Sequence, residues 1–439
     1  MQLNAPVRPA ASRSRLGAAA CALIASAATA VARADGGATT QLEAATLIYG
    51  EQNRTDVVEP LLRITRVRPG GQSLSAQIGL DVITGASPTG ASPSGKVQTT
   101  TTPSGNVETT SASEIPTTSF EDIRGSLDLD WTRPLGALVS PALGMHISRE
   151  KDYQSLGANA TLALSLLHRR TTLTFGGGLN RDRVFPIGGI VEGLTPVVAT
   201  GGGGGEGVEA AEAEEAASTG VIAADKNVTS ALVGVSQVVT RRWLVGLSAS
   251  RTVEDGYLTE PYKVLSVLDT GGYPISSLHE KRPSSRKRTS LLASSVYHFG
   301  IDVLNASYRA YGDDWGVQSH TVELRLRHDL TGGDRWVEPH VRWYWQHAAD
   351  FFRFSLNEGD PLPDFASSDA RIGSIRTATL GAACGFRLGS YPGEFSVRAE
   401  YLAQWGDGHP ADAVGVQRTL DLMPPVSTGS LMLGYSVGW

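Results

Sequence analysis

The chain has 439 residues, with 44 acidic and 38 basic side chains and a formal net charge of -6. That mild acidity argues against nucleic acid as a partner. Past the N-terminal segment no stretch reaches the ~18 apolar residues of a spanning helix, which excludes helical membrane folds.

Along the chain, the first segment reads as an export signal. Arg8, Arg13 and Arg15 precede the uncharged, alanine-rich "LGAAACALIASAATAVA", and "ARA" at 32–34 is a small-x-small cleavage site. A transmembrane anchor is the alternative, but the run is Ala-dominated and short of the ~20 strongly apolar residues a span needs. The division is a signal peptide at 1–34 and one domain at 35–439. Cys21 falls in the signal, so the domain carries one thiol, Cys384, which shares parity with Leu380, Ala382 and Phe386. A small apolar residue on an outer face is the reading for it, and no internal disulfide is expected.

From residue 41 onward the pattern is alternation. Candidate strands fall near 41–50, 56–68, 73–84, 119–131, 137–148, 153–166, 171–183, 227–239, 243–252, 287–299, 301–311, 318–328, 335–348, 372–388, 394–404 and 427–439. In "SLSAQIGLDVITG", Leu74, Ala76, Ile78, Leu80 and Val82 share one face. In "EDIRGSLDLDW", Ile123, Leu127, Leu129 and Trp131 oppose Asp122, Arg124, Asp128 and Asp130. Val322, Leu324 and Leu326 oppose Glu323, Arg325 and Arg327; Val337, Val341, Trp343 and Trp345 oppose Glu338, His340, Arg342 and Gln346. A strand places alternate side chains on opposite faces, and a one-sided apolar stripe repeated this often suits a wall with lipid outside. The terminal "SLMLGYSVGW" puts Leu431, Leu433, Tyr435, Val437 and Trp439 on one face, the arrangement of a last barrel strand.

The weakest strand is "TQLEAATLIYG", admitted because an even count puts both ends on one side. Alternate connections are short ("RPGGQ", "TRPLG", "LHRR", "TRR", "HFGI", "LTGGD", "GSYPG"), whereas long ones, 85–118, 184–226, 253–286, 349–371 and 405–426, fall on the other side. Short inner turns with long outer loops predict an all-β transmembrane antiparallel barrel of about sixteen strands. The Ser/Thr-rich 85–118 loop and the "GGGGGEGVEAAEAEEAA" run hold few apolar residues to pack, so both read as mobile, with a short helix at 207–217 as an option.

Candidate lumen residues are Arg124, Asp128, Asp130, Glu323, Arg325, Arg327, Glu338, His340 and Arg342. Asp128 and Asp130 share a face and are weighed as a cation site, with a lumen ion pair to Arg124 preferred. "GGGGG" at 201–205 lacks the Gly-Lys-Ser/Thr of a phosphate loop. His146 and Ser148, with Asn159 on the next strand, parallel the catalytic set of outer-membrane phospholipases, but Met145 and Ile147 take the lipid parity and turn His146 inward. No catalytic, metal or cofactor set emerges, which makes an enzyme the lesser reading.

Four stretches are distinctive: "TGASP" (84–88), "EDGYLTEPYK" (254–263), "EKRPSSRKR" (280–288) and "YRAYGDDWGVQSHT" (308–321), joined by "RWYWQHAADFF" (342–352). In combination the chain resembles a family of bacterial outer-membrane barrels known only as a domain of unknown function. The Gly/Ala/Glu insert near 200–220 departs from its pattern. The resemblance implies an outer-membrane location, and an indirect link to extracytoplasmic redox or flavin chemistry. By topology these stretches ring the outer mouth, with Asp255, Arg282, Arg286, Asp313 and Asp314 as rim candidates beside Arg288. They either fasten loops by ion pairs or select a ligand. The functional reading is a channel or transporter for an unidentified small solute. The alternatives are an outer-membrane scaffold or redox-linked component, an enzyme, or a soluble exported β-protein. Expected partners are outer-membrane lipid and the outer-membrane assembly machinery.

Overall fold

Leu74, Ile78 and Leu80 stand exposed on one side of the strand Ser73–Pro88, while Ser75, Gln77 and Asp81 turn to the other. The same alternation runs through sixteen strands that close into one barrel. The computed structural model describes residues 37–52, 54–94, 98–101, 107–110, 114–197, 220–330, 334–389 and 391–439. The export signal and the 207–217 segment lie outside the described residues.

In chain order the strands are β1 (Thr39–Glu51), β2 (Thr55–Val67), β3 (Ser73–Pro88), β4 (Gln98–Thr101), β5 (Val107–Thr110), β6 (Thr117–Thr132) and β7 (Val139–Arg149). They continue with β8 (Tyr153–Leu166), β9 (Thr171–Val184), β10 (Ala224–Thr240), β11 (Trp243–Gly256), β12 (Val264–Leu268), β13 (Pro274–His279) and β14 (Ser285–Phe299). The last are β15 (Asp302–Asp313), β16 (Gln318–Asp329), β17 (Arg335–His347), β18 (Leu356–Asn357), β19 (Ile375–Phe386), β20 (Glu394–Gly406) and β21 (Val426–Gly438). All but β4, β5, β12, β13 and β18 are wall strands, each antiparallel to the next.

The weak first strand is real, and it closes the wall. β1 pairs with β21 from Gln41 opposite Gly438 to Glu51 opposite Thr428. Thr40 N–H donates to the Trp439 carbonyl at 2.7 Å and Trp439 N–H returns a bond at 2.9 Å. The terminal apolar row differs from the expectation of a bare lipid face. Tyr435 and Val437 are buried against Leu42 and Ala44, with Leu62, Phe395 and Trp439 packed around them. The Tyr435 hydroxyl donates to the Pro392 carbonyl at 2.5 Å, which folds the ring over the adjoining turn. Leu431, further along, is exposed.

Turn chemistry separates the two ends. At 68–72 the chain reverses with Gly70 and Gly71 both at positive φ (90° and 83°), the left-handed region glycine enters freely, and Arg68 N–H bonds the Gln72 carbonyl at 2.8 Å. This end carries the short turns and both wall termini. Exposed Leu127, Leu129, Leu143, Met145, Ile147, Leu156 and Leu179 form an apolar band around the outside. Aromatic residues border it. Trp243 lies opposite Tyr297 near the short turns, and Trp343 meets Trp405 edge-on at 5.4 Å near the far end. A closed wall with an apolar outer band and flanking aromatics is that of an outer-membrane barrel.

At the far end the long connections knit into a cap. β12 pairs antiparallel with β13 and parallel with the short β18, three strands contributed by two different loops. Leu265 and Leu268 of β12 are fully buried. Ser92 N–H donates to Ser266 Oγ at 2.9 Å, Val197 N–H to the Ser277 carbonyl at 2.8 Å, and the buried Gln417 amide to the Pro93 and Gly272 carbonyls at 2.8 and 2.7 Å. All five long loops therefore enter one assembly. This corrects the reading of 85–118 as wholly mobile: its described start is held, with Thr89 and Ser92 buried and bonded. Short polar side chains pack here by satisfying backbone groups instead of by apolar burial.

Candidate functional site

The lumen residues come from inward positions on the wall. Arg124 does not pair with Asp128 or Asp130. Its Nη1 lies 3.8 Å from Asp81 Oδ2, because Asp81 sits directly opposite on β3, whereas Asp128 is four residues away, about 13 Å along the strand. Asp128 instead meets His146 Nδ1 at 2.6 Å, and Asp130 lies 4.0 Å from Arg63. His146 and the buried Ser148 face inward.

On the opposite wall the charges are linked. Arg325 Nη2 lies 2.7 Å from Glu323 Oε1. The His340 ring is buried, with Nδ1 3.0 Å from Glu400 and Nε2 3.6 Å from Glu323. Arg398 spans Glu338 and Glu400, at 3.3 Å each. Arg327 bonds Asp329 at 3.0 Å and lies over the Trp336 ring, 4.4 Å from its centroid. Arg342 is opposite Glu323 in register and stays exposed to the lumen.

Three of these contacts vault across β19. Gly381 lies between His340 and Glu400, Ala383 between Glu338 and Arg398, and Trp336 covers Gly385 to donate from Nε1 to Glu394 at 2.9 Å. A Cβ at Gly385 would meet the indole nitrogen at 2.2 Å. Arg398, Glu400 and Trp336 join the lumen set here; their inward parity was the available signal.

The rim residues divide. Arg282, nearly buried, donates from Nη2 to Glu280 Oε2 at 3.1 Å and to Asp369 Oδ2 at 2.8 Å, and its Nε lies 2.6 Å from Glu280 Oε1 as an ion pair. Glu280 is fully buried and also accepts from Glu260 N–H at 2.7 Å and from the Ser367 hydroxyl. Arg371 returns to Asp369 at 2.8 Å and reaches Glu260 at 3.1 Å. Burial alone would raise the Asp369 carboxyl, but Arg371 and Arg282 overcome it and hold it well below the usual carboxylate range. Arg286 grips Asp313, and its guanidinium lies 4.3 Å from the Trp315 ring centroid. Asp314 accepts from Lys287 N–H at 2.7 Å. Asp255 is exposed on the outer side of β11, opposite Asn227, and stands apart from the others. Arg288 binds Glu254 at 2.6 Å on the inner face. The ties of Arg282 and Arg286 are shielded from solvent. Asp369 carried no sequence signal beyond a neighbouring arginine.

Beneath the cap lies a chamber of about 2700 Å³, bordered by Tyr49, Tyr344 and Gln404 of the wall and by Lys263, Ser92 and Arg371 of the cap. Burial lowers the Lys263 ammonium, whose Nζ donates to Ser87 Oγ at 3.1 Å and to the Pro88 carbonyl. At its edge Asp122, Glu150 and Asp152 bring carboxylate oxygens within 4.8 Å of one another. Asp152 accepts from the Tyr262 hydroxyl at 2.7 Å. Burial, and then the Asp122 and Asp152 charges, push the Glu150 carboxyl up to about 7. Such a cluster can share a proton or hold a cation.

A family model described as "Protein of unknown function (DUF3570)" matches residues 13–437. No curated protein matches the chain. Among solved structures, OccK5 (OpdH) of Pseudomonas aeruginosa is 9% identical with a TM-score of 0.41, over 92% of this chain and 98% of that one. The siderophore receptor PirA of the same organism is 8% identical with a TM-score of 0.38, over 85% of this chain and 57% of that one. The chain thus spans little more than half the receptor's length, and both likenesses are of fold.

Proposed function

The chain belongs to the family described as protein of unknown function (DUF3570), and we propose that it is a capped, non-enzymatic outer-membrane channel for a small solute. The solute would enter the chamber under the cap and move along the charged lumen. The observation that carries this reading is the chamber itself. Its volume, about 2700 Å³, is several times the ~300–1,000 Å³ of ordinary ligand pockets. It lies between an inward polar wall and a cap built from the barrel's own loops. Glu323, Arg325, His340 and Arg342 would line the path below it, and Arg282, Arg286 and Asp313 would hold the cap in place. The strand ending at Trp439 is read as the segment taken up by the outer-membrane assembly machinery; deleting Trp439 should reduce heat-modifiable barrel in outer membranes.

Planar-bilayer recording of the purified protein tests the channel reading. Discrete conductance steps are expected. The buried ties of the cap favour one other reading, a closed docking scaffold. A silent bilayer, for both the wild type and a cap-loosened Arg282→Ala variant, would select the scaffold.

A further inference from the structure

Five basic residues face outward at the outer end of one side of the wall. Arg149 on β7, Arg181 and Arg183 on β9, Arg251 on β11 and Lys287 on β14 are all exposed. Each shares parity with an exposed apolar residue two or four places toward the band: Ile147, Leu179, Leu247 and Leu291. They are therefore on the outside of the barrel, not in the lumen. The register ties them into one patch. Arg149 lies opposite Gln154, Gln154 opposite Arg183, Arg183 opposite Asp225, Arg181 opposite Asn227, and Val253 opposite Lys287. Six adjacent strands at about 4.8 Å spacing make the patch about 24 Å wide.

The patch has few acids of its own. Asp225 pairs with Arg181 at 2.7 Å, Asp314 accepts from the Lys287 backbone N–H at 2.7 Å at one edge, and Asp255 lies exposed on β11; Glu121, four residues beyond the Arg149 level on β6, marks the other edge. Arg251 donates to Thr289 at 2.5 Å. The side chains of Arg149, Arg183 and Lys287 make no ion pair among the described residues. One step along the strand, about 6.6 Å, separates Arg149 from Ile147 and Arg181 from Leu179. The cations thus begin where the apolar band ends, at the depth of lipid headgroups on the long-loop side.

We propose that this patch binds the phosphates of the outer-leaflet glycolipid. An arginine fork matches phosphate geometry, and cations at a lipid surface act together. The groups that could neutralise the patch from within are too few, and its position next to the acyl region commits it to a lipid rather than to a solute or a soluble protein. The proposal rests on the barrel's place in the outer membrane and is independent of whether the lumen conducts.

The test is native mass spectrometry of the full chain in neutral detergent, titrated with diphosphorylated lipid A. The wild type should bind it more tightly than monophosphorylated lipid A, and phosphatidylcholine should not compete. Arg149→Gln/Arg183→Gln/Lys287→Gln should weaken binding about a hundredfold, since each surface cation contributes about fivefold. Heat-modifiability on gels checks that this variant is folded; if it is not, Arg183→Gln alone should show the fivefold loss. Unchanged binding in the folded triple variant, or in the single one, overturns the proposal. Displacement of lipid A by inorganic phosphate at equal concentration overturns it as well, by making the site one for free anions.

Discussion

Arg286 holds Asp313 through Nη2 at 2.5 Å and Nε at 2.9 Å, and the Asp313 side chain is completely shielded from solvent. The same carboxylate accepts from the Tyr311 hydroxyl at 2.8 Å and from the backbone N–H groups of Trp315 and Val317 at 3.1 and 3.0 Å. One side chain thus shapes the turn Asp314–Val317 and ties β14 to β15. The Asp314 side chain beside it accepts one bond, from Lys287 N–H.

The two neighbours should behave very differently. Asp313→Ala strands a largely buried guanidinium and should cost about 3–5 kcal/mol locally, whereas Asp314→Ala should cost about 1 kcal/mol or less. Limited proteolysis of the 257–284 loop should show faster cleavage in Asp313→Ala and near wild-type cleavage in Asp314→Ala.

Arg282 is the second tie. Arg282→Ala leaves Glu280 and Asp369 buried without their shared cation, a change of about 3–5 kcal/mol borne by the cap. The wall has its own hydrogen-bond ladder, so the melting of the barrel should hardly move while the cap loops become protease-sensitive. If the barrel melts with the cap, the two are one cooperative unit.

Glu150 should make the outer chamber respond to pH near neutrality. Its folded-state value of about 7 lies above the ~4.3 of a free glutamate. The favourable contribution of its protonated form is therefore complete only below the free value of ~4.3 and is lost progressively as pH rises from there to about 7. Going from pH 8 to 5.5 should remove one negative charge from the cluster, lower the cation-to-anion permeability ratio, and stabilise the outer loops. Glu150→Gln should flatten both responses, read by reversal potentials and by thermal melts.

The two faces of the wall should differ in water access. Cysteine at Leu324 or Val341, both exposed on the apolar side, should resist polar thiol reagents in bilayers. Cysteine at Arg325 or Arg342 should react. Cys384, half-buried on the outer parity, should give little background. Equal labelling of both pairs would contradict an inward lumen.

The wall was legible because its physics is local: lipid on one side and water on the other impose a two-residue period on every strand. Even β1 was recovered by counting. Its own pattern is blurred because Leu42 and Ala44 pack on Tyr435 and Val437, while Leu47 and Tyr49 occupy the other face. The cap was not legible. β12 finds its parallel partner β18 nearly ninety residues later, Val267 beside Leu356, and Thr89 and Ser92 are fixed by hydrogen bonds that composition does not reveal. The charged lumen positions followed from parity, but their pairing did not. Asp81 and not Asp128 faces Arg124, since a strand brings opposite residues closer than those four places along it.

The short-turn half of β19 offers little of its own to hold its alignment, because Gly381, Ala383 and Gly385 leave its inner face there nearly bare. A strand of that kind is prone to slipping along its neighbours. Yet β17 and β20, which share no backbone hydrogen bonds, are joined over it by His340 to Glu400, Glu338 to Arg398 and Trp336 to Glu394. A shift of β19 by two residues would keep its faces but slide larger Thr379 beneath the vault or carry Gly385 out from under the Trp336 indole. This small-residue strand is thereby clamped like a rail between two fixed beams, and the charged side chains of the lumen serve as its alignment pins.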